Sequence, residues 1–373
     1  MTSLPERVAL VLGGGGLKGF AHIGAIRALE ERGIRPSLIA GTSIGSLVAA
    51  AYACGMSVDE MERRARALQK KDLFRIDHFR MLTKRMLSPS LYLAGPLEEL
   101  VRDVIPRGSF RDTRIPLLVN TVDLERASPV VWGLPGLQDI PVVDAVYASC
   151  ALPGFFPPGM IAGRTCADGG VIDNLPAAIA SYGMQAMICV DVGSTSIVEA
   201  QNIRGKGFAA IYMRAAQTMM RTLQLGSLKL WAGPPLLLVR PEVWRYGWFS
   251  FANTPQMIEA GYRAMNETLD QAGEDLMKAG GVYPRRHVEI SIDRAACIGC
   301  RVCATLAHEL IRMDDSGKAV VTTAHSEWSR ADGDFVYQCP TKAIKVVALE
   351  GDVRRNTMEW RGPPDSGRST TSL

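Results

Sequence analysis

Hydrophobic positions along the chain alternate between short continuous runs and stretches that repeat at helical spacing. VALVLG (8–13) is apolar, β-branched and closed by glycine, which predicts a buried strand. FAHIGAIRALEERGI (20–34) repeats apolar residues every three or four positions and stops at Gly33, which predicts a helix. PSLIAG (36–41) predicts a second strand, and SLVAAAYACG (46–55) a second helix ended by Gly55. Strand, helix, strand, helix at this spacing begins a parallel α/β sheet. IPLLVNTVD (115–123), QAMICVDVG (185–193) and PLLLVRPEV (235–243) predict further strands, and PQMIEAGYRAMNETLDQAG (255–273) a further helix. Residues 57–106 read as a helical insertion. The pattern changes near Pro284-Arg285-Arg286, which reads as a linker. The expected organisation is therefore a large unit over 6–283, a small module over 288–350, and a polar tail, 354–373, whose composition predicts disorder.

Composition changes this picture only in places. A chain of 373 residues has room for two domains. The net charge of +4 is too small to argue for nucleic acid, and that class is set aside. No signal peptide is read at the start, because only five apolar residues separate Arg7 from the glycines. The uncharged run Pro36 to Val58 has the length of a membrane span, but its glycines, serines and threonine favour strand, turn and helix. The expected location is the cytoplasm, with peripheral contact at the inner membrane face as the alternative. Residues 61–85 carry nine Lys or Arg against three acids, which fits either anionic head groups or a solvated helical face. Trp244, Tyr246, Trp248, Phe249 and Phe251 either line an acyl channel or simply pack.

The candidate chemistry begins at VLGGGGLKG (11–19). Gly14, Gly16 and Gly19 satisfy G-x-G-x-x-G, a dinucleotide fingerprint, but the acid that should end the second strand is replaced by Ala40-Gly41. The second strand leads instead into GTSIG (41–45), a G-x-S-x-G between a strand and a helix, the setting in which a strained turn exposes a serine hydroxyl. An acyl transfer from Ser43 needs backbone N–H donors for its oxyanion, and Gly14, Gly15 and Gly16 let the backbone approach. Lys18 adds a cation or sits solvated. None of the five histidines is placed to complete a Ser–acid–His order, whereas ADGG (167–170) offers Asp168, which read alone is equally a turn aspartate.

GGGGLKGFAHIG (13–24), GTSIG (41–45), ASCALPGFFPP (148–158) and DGGVIDNLPA (168–177) together resemble the signature blocks of the patatin-like phospholipases, over about residues 6–275. The resemblance implies a three-layer α/β/α sandwich with a mostly parallel central sheet, and a Ser–Asp dyad without histidine. It makes Ser43 the nucleophile, Asp168 the general base, and Gly14, Gly15 and Gly16 the oxyanion hole. Lipid as the substrate class also comes from the resemblance, and hydrolysis so carried out needs no cofactor. The family more often has Arg at the position of Lys18, which puts a phosphate-binding role for that residue in doubt.

The eight cysteines divide evenly. Cys54, Cys150, Cys166 and Cys189 lie singly in apolar surroundings and read as core residues. Cys297, Cys300 and Cys303 form C-x2-C-x2-C, and Cys339-Pro340 stands at a distance. This module resembles a single-cluster ferredoxin of small α+β fold, with four thiolates for one 4Fe–4S cluster. Zinc is the alternative, although zinc sites favour paired C-x2-C knuckles. These features support three functional readings. The leading one is a lipid acyl hydrolase whose iron–sulfur module serves redox sensing, electron transfer with a partner protein, or structure. The others are a nucleotide-dependent redox protein and a non-catalytic lipid-binding redox sensor.

Overall fold

The computed structural model describes residues 5–73, 75, 90–193, 202–272 and 275–349. The tail expected to be disordered lies outside them, as do Arg80, Lys84 and Arg85 of the basic insertion. The described residues fall into two compact units, one up to Pro284 and one from Arg285 onward.

The first unit is built on a nine-stranded sheet. Its strands are β1 (Val8–Leu12), β2 (Leu38–Thr42), β3 (Leu117–Asp123), β4 (Ser128–Trp132), β5 (Gly159–Ile161), β6 (Arg164–Asp168), β7 (Ala186–Val190), β8 (Leu236–Val239) and β9 (Val282–Tyr283). They lie in the order β5-β6-β3-β2-β1-β7-β8-β9, with β4 also on β3. The run from β3 to β9 is parallel, while β4, β5 and β6 form an antiparallel edge. β1, β3, β7 and β8 are buried at every residue. Successive side chains point to opposite faces, so both faces are covered, which makes three layers.

The helices are α1 (Ala21–Glu31), α2 (Ile44–Ala53), α3 (Val58–Ala67), α4 (Ala94–Val104), α5 (Val142–Cys150), α6 (Gly207–Lys229) and α7 (Thr254–Ala272), with shorter turns between. The expected insertion is helical where it is described, in α3 and α4. No described helix is long and apolar enough to cross a membrane. The antiparallel edge and α6 have no counterpart in the sequence-based expectation.

In the second unit β10 (Arg286–Ile292) pairs antiparallel with β13 (His325–Trp328) and β14 (Ile344–Ala348), and β11 (Ile311–Met313) pairs with β12 (Ala319–Val321). Its core includes Val288, Ile290, Cys297, Cys303, Trp328 and Phe335.

α1 and α7 pack through two glycines. A Cβ on Gly24 would lie 1.9 Å from the Ile258 carbonyl oxygen, and one on Gly261 would lie 1.8 Å from that of Ala21. On helix propensity alone, Gly→Ala stabilises a helix by about 1 kcal/mol. Here backbone meets backbone, and Gly261→Ala is expected instead to destabilise the fold by about 1–3 kcal/mol. Urea unfolding of the two proteins measures the sign.

Candidate active site

β3 sets the height of the site. Thr42 at the end of β2 is level with Asn120, so Ser43 comes level with Thr121. β6 continues along the same edge of β3, where Asp168 at its end pairs with Thr121, while β4 takes the opposite edge. The two residues expected to act together thus meet on one edge of β3, where the Ser43 hydroxyl comes close enough to the Asp168 carboxylate to favour its charged form.

Ser43 has φ 55° and ψ −132°, a conformation that costs a non-glycine residue on the order of 1–3 kcal/mol. Its surroundings hold it there. Its amide donates to Ser149 Oγ at 2.9 Å, and Ser149 Oγ donates to the Asn120 carbonyl at 2.7 Å. Ser46 Oγ donates to the Ser43 carbonyl at 2.6 Å. α2 starts directly behind the serine and runs tight under β1, where a Cβ on Gly45 would lie 2.1 Å from the Leu12 carbonyl oxygen.

Asp168 is 3% exposed and accepts from the Gly170 amide at 2.8 Å. Burial pushes its carboxyl up to about 6, against the opposing pull of the Ser43 and Gly170 hydrogen bonds. No salt-bridge cation accompanies it among the described residues. Asn120 ties the strands together beneath it. Its Nδ2 donates to the Asp173 carbonyl at 2.7 Å and to the Gly169 carbonyl at 3.3 Å.

The glycine loop comes directly after β1, where the strand order reverses, since β2 and β7 lie on either side. Such a point opens a crevice at the carboxyl ends of the strands. Of the three amides expected there, that of Gly14 donates to the Asn174 carbonyl at 3.1 Å, so it is committed elsewhere. Gly15 and Gly16 have no acceptor for theirs among the described residues. Asn174 Nδ2 also donates to the Gly14 carbonyl at 3.1 Å, clasping the loop from both sides. Behind it the fully buried His22 places Nε2 2.8 Å from the Gly13 carbonyl. Burial lowers this imidazole to about 4, so it is neutral and its Nε2–H is the donor. His22 thus positions the loop.

Lys18 is neither solvated nor in the cavity beside Ser43. It is 7% exposed, burial lowers its amine, and the Asp191 carboxylate opposes that shift. Asp191 in turn pairs with Arg240 at 3.2 Å. The chain's turn from Gly16 to Phe20 thus carries Lys18 toward Asp191.

A cavity of about 130 Å³ opens at Ser43 and runs between α2 and the insertion. Leu47, Met61, Leu68, Leu97, Leu100 and Phe156 line it. Phe249 is the one member of the aromatic cluster in its wall, whereas Trp244 is exposed. Cys150, read as a core residue, lines it too, and burial raises its thiol. The basic face of α3 is largely neutralised within its own helix. Arg63 and Arg64 pair with Glu60, and Arg66 with Glu62, which favours the solvated face over a head-group site.

In the second unit, Cys297 and Cys303 are buried, Cys339 is half-buried and Cys300 is exposed. Burial raises the Cys303 thiol, and Cys300 and Cys339 are close enough to raise it further. Cys339 Sγ accepts the Ala343 amide at 3.3 Å. Among the described residues no three ligands converge on a single ion.

Against this geometry, comparison with known sequences is specific. Residues 10–181 match the patatin-like phospholipase family. That match spans both Ser43 and Asp168. Residues 290–346 match the 4Fe-4S single cluster domain and include all four clustered cysteines. An uncharacterised NTE family protein of Mycobacterium tuberculosis is 29% identical over 366 residues, covering 86% of this chain and 96% of its own length. Human patatin-like phospholipase domain-containing protein 6 is 35% identical over 190 residues, 50% of this chain and 13% of that protein. Lysophospholipase nte1 of Emericella nidulans is 29% identical over 316 residues, 74% of this chain and 19% of that protein. The patatin-like domain places the chain among enzymes that hydrolyse lipid esters.

Sequence reasoning assigned no role to Ser149, Asn120, Asn174 or His22. Ser149 and Asn174 stand inside the signature blocks, but nothing local marks a side chain that braces a turn distant in sequence.

The Asp168 carboxyl also predicts a stability effect. Its folded value of about 6 lies above the unfolded value of about 3.9. The fold therefore favours the protonated form. That advantage is complete below pH 4 and is lost as pH rises through 6, leaving a buried carboxylate that costs up to roughly 3 kcal/mol. Asp168→Asn is expected to melt several degrees higher than wild type at pH 8, with the difference shrinking toward pH 4. Thermal melts at the two pH values check this.

Proposed function

We propose that the chain is a lipid acyl hydrolase working through a Ser43–Asp168 dyad. The observation that carries this reading is the strained Ser43 in the wall of an apolar cavity, with its hydroxyl beside the buried Asp168 carboxylate. Asp168 takes the hydroxyl proton, and Ser43 Oγ attacks the ester carbonyl carbon. The oxyanion meets the amides of Gly15 and Gly16, held by His22 and Asn174 on the far side of the loop. Collapse of the tetrahedral intermediate expels the alcohol, which takes the proton back from Asp168. Water, deprotonated by the same carboxylate, then attacks the acyl-enzyme; the bond to Ser43 Oγ breaks, Ser43 takes the proton back from Asp168, and the fatty acid leaves. Burial of Asp168 matches this task, because a base with a value near the working pH both accepts and returns a proton efficiently. The cavity accepts the acyl chain. A nucleotide at the glycine loop gains no support, since Ser43 and Asn174 crowd Gly14.

Cys297, Cys300, Cys303 and Cys339 would hold one 4Fe–4S cluster. The proximity of Cys303 to Cys300 and Cys339, and the amide aimed at the Cys339 sulfur, suit a set of charged thiolates. Such a cluster supplies one-electron chemistry when bound. Ester hydrolysis moves no electrons, so its part is sensing, electron exchange with a partner protein, or structure.

Ser43→Ala is expected to leave below about one per cent of wild-type ester hydrolysis with the fold intact. Asp168→Asn should be nearly as severe. In the wild type, kcat/KM should rise with pH through a midpoint near 6 rather than near 4, as Asp168 loses its proton. Activity that persists in Ser43→Ala would place the attack on another residue.

Purified without oxygen, the full chain should be brown, with about four irons and matching labile sulfide per chain. Cys339→Ser should lose most of that colour. One equivalent of zinc without sulfide would replace the cluster in this reading.

A further inference from the structure

α6 presents two unlike faces. Its inner face carries Met220, Gln224 and Leu228, all buried. That face holds the loop after Asp168: a Cβ on Gly170 would lie 2.8 Å from Met220 Cε, and Asn174 Nδ2 donates to Gln224 Oε1 at 3.3 Å. The outer face carries Phe208, Ile211, Tyr212, Met219, Leu223 and, one residue past the helix, Leu230. These recur in steps that match the helical period, so they make one exposed stripe. Phe208 is 82% exposed and Leu230 81%, far more than side chains of this kind show when merely bordering a core.

The polar residues on the outer face are chemically muted. Thr218, Thr222 and Ser227 each turn their hydroxyl back to the carbonyl four residues earlier, at 2.9, 3.0 and 3.2 Å. Their donors are thereby satisfied without water. Charge is equally one-sided. No Asp or Glu occurs between Glu199 and Glu242, while Arg204 and Lys206 precede the helix and Lys229 ends it, all three exposed. A satisfied apolar stripe flanked by cations, on a helix too polar elsewhere to span, fits a surface whose interior is hydrocarbon and whose rim is anionic.

We propose that the outer face of α6 docks the enzyme on a membrane bearing anionic head groups. The apolar stripe enters the head-group boundary while Arg204, Lys206 and Lys229 meet lipid phosphates. A 23-residue helix lies about 34 Å along that plane. The inner face of the same helix packs on the loop after Asp168, so docking would hold that loop beside the membrane. This deepens, and for that consequence rests on, the reading of the chain as a lipid hydrolase. It moves the membrane contact from α3, whose arginines are paired, to α6.

The test uses the full chain carrying Ser43→Ala, so that vesicles are not consumed. It should sediment with mixed phosphatidylcholine/phosphatidylglycerol vesicles and much less with phosphatidylcholine alone. Met219→Glu with Leu223→Glu should lower binding to the anionic vesicles by at least about tenfold, as expected for loss of two buried apolar side chains. Lys206→Glu with Lys229→Glu should do so by a similar factor, since each surface cation contributes about fivefold. With Ser43 restored, both pairs should hydrolyse a short soluble ester at a rate within about twofold of wild type, because neither touches the cavity. Absence of sedimentation, or sedimentation that neither pair alters, overturns the proposal. So does a wild-type dimer that ignores vesicles and becomes monomeric in Met219→Glu with Leu223→Glu, which would make the stripe an interface between copies. The short-ester rate reads the hydrolase assignment separately, so either can fail without the other.

Discussion

β3 is the strand on which the site depends. Along one edge it takes first the parallel β2 and then the antiparallel β6, with β4 on the other edge, and the two registers bring Ser43 and Asp168 to the level of Thr121. A slip of one residue in either pairing would turn the side chains to the other face of the sheet and separate hydroxyl from carboxylate. Asn120 guards against that slip. Its side chain binds the carbonyls beneath Asp168, and its own carbonyl receives Ser149, which holds the Ser43 amide. One buried residue thereby braces both halves of the proposed dyad.

The site works against the stability of the fold. Ser43 is held in strained backbone, Asp168 is buried without a salt-bridge partner among the described residues, and His22 is confined as a neutral imidazole. Each cost arises from a chemical need. The strained turn exposes the hydroxyl, the apolar setting raises the base, and a neutral histidine holds the glycine loop without placing a full positive charge behind it. The extensive apolar packing of the sheet and its two helical layers offsets these local costs.

The two units divide the chemistry. The first has an apolar cavity and a carboxylate suited to moving protons. The second gathers thiols that suit electron chemistry. α6 adds a third element, since one of its faces belongs to the proposed site and the other to the surroundings. Its pattern shows why amphipathicity alone does not reveal a buried face: the apolar stripe on α6 points outward, while the buried positions include Gln224.

The sequence by itself determined the parallel core, the glycine loop after β1, the G-x-S-x-G turn and the grouping of four cysteines. These are local features, because strand runs, glycine turns and cysteine spacings act within a few residues. It also supplied Asp168, though only as one of a matching set of blocks. The antiparallel edge was not legible, because β5 and β6 are three and five residues long and their stability comes from pairing β6 on β3 and β5 on β6. Nor was the burial of Lys18 near Asp191, at the end of a strand distant in sequence. The commitment of the Gly14 amide to Asn174 spans 160 positions. Tertiary structure alone decides such matters, because an amide or a carboxylate takes its chemical character from what surrounds it, and those neighbours are assembled only when the sheet closes.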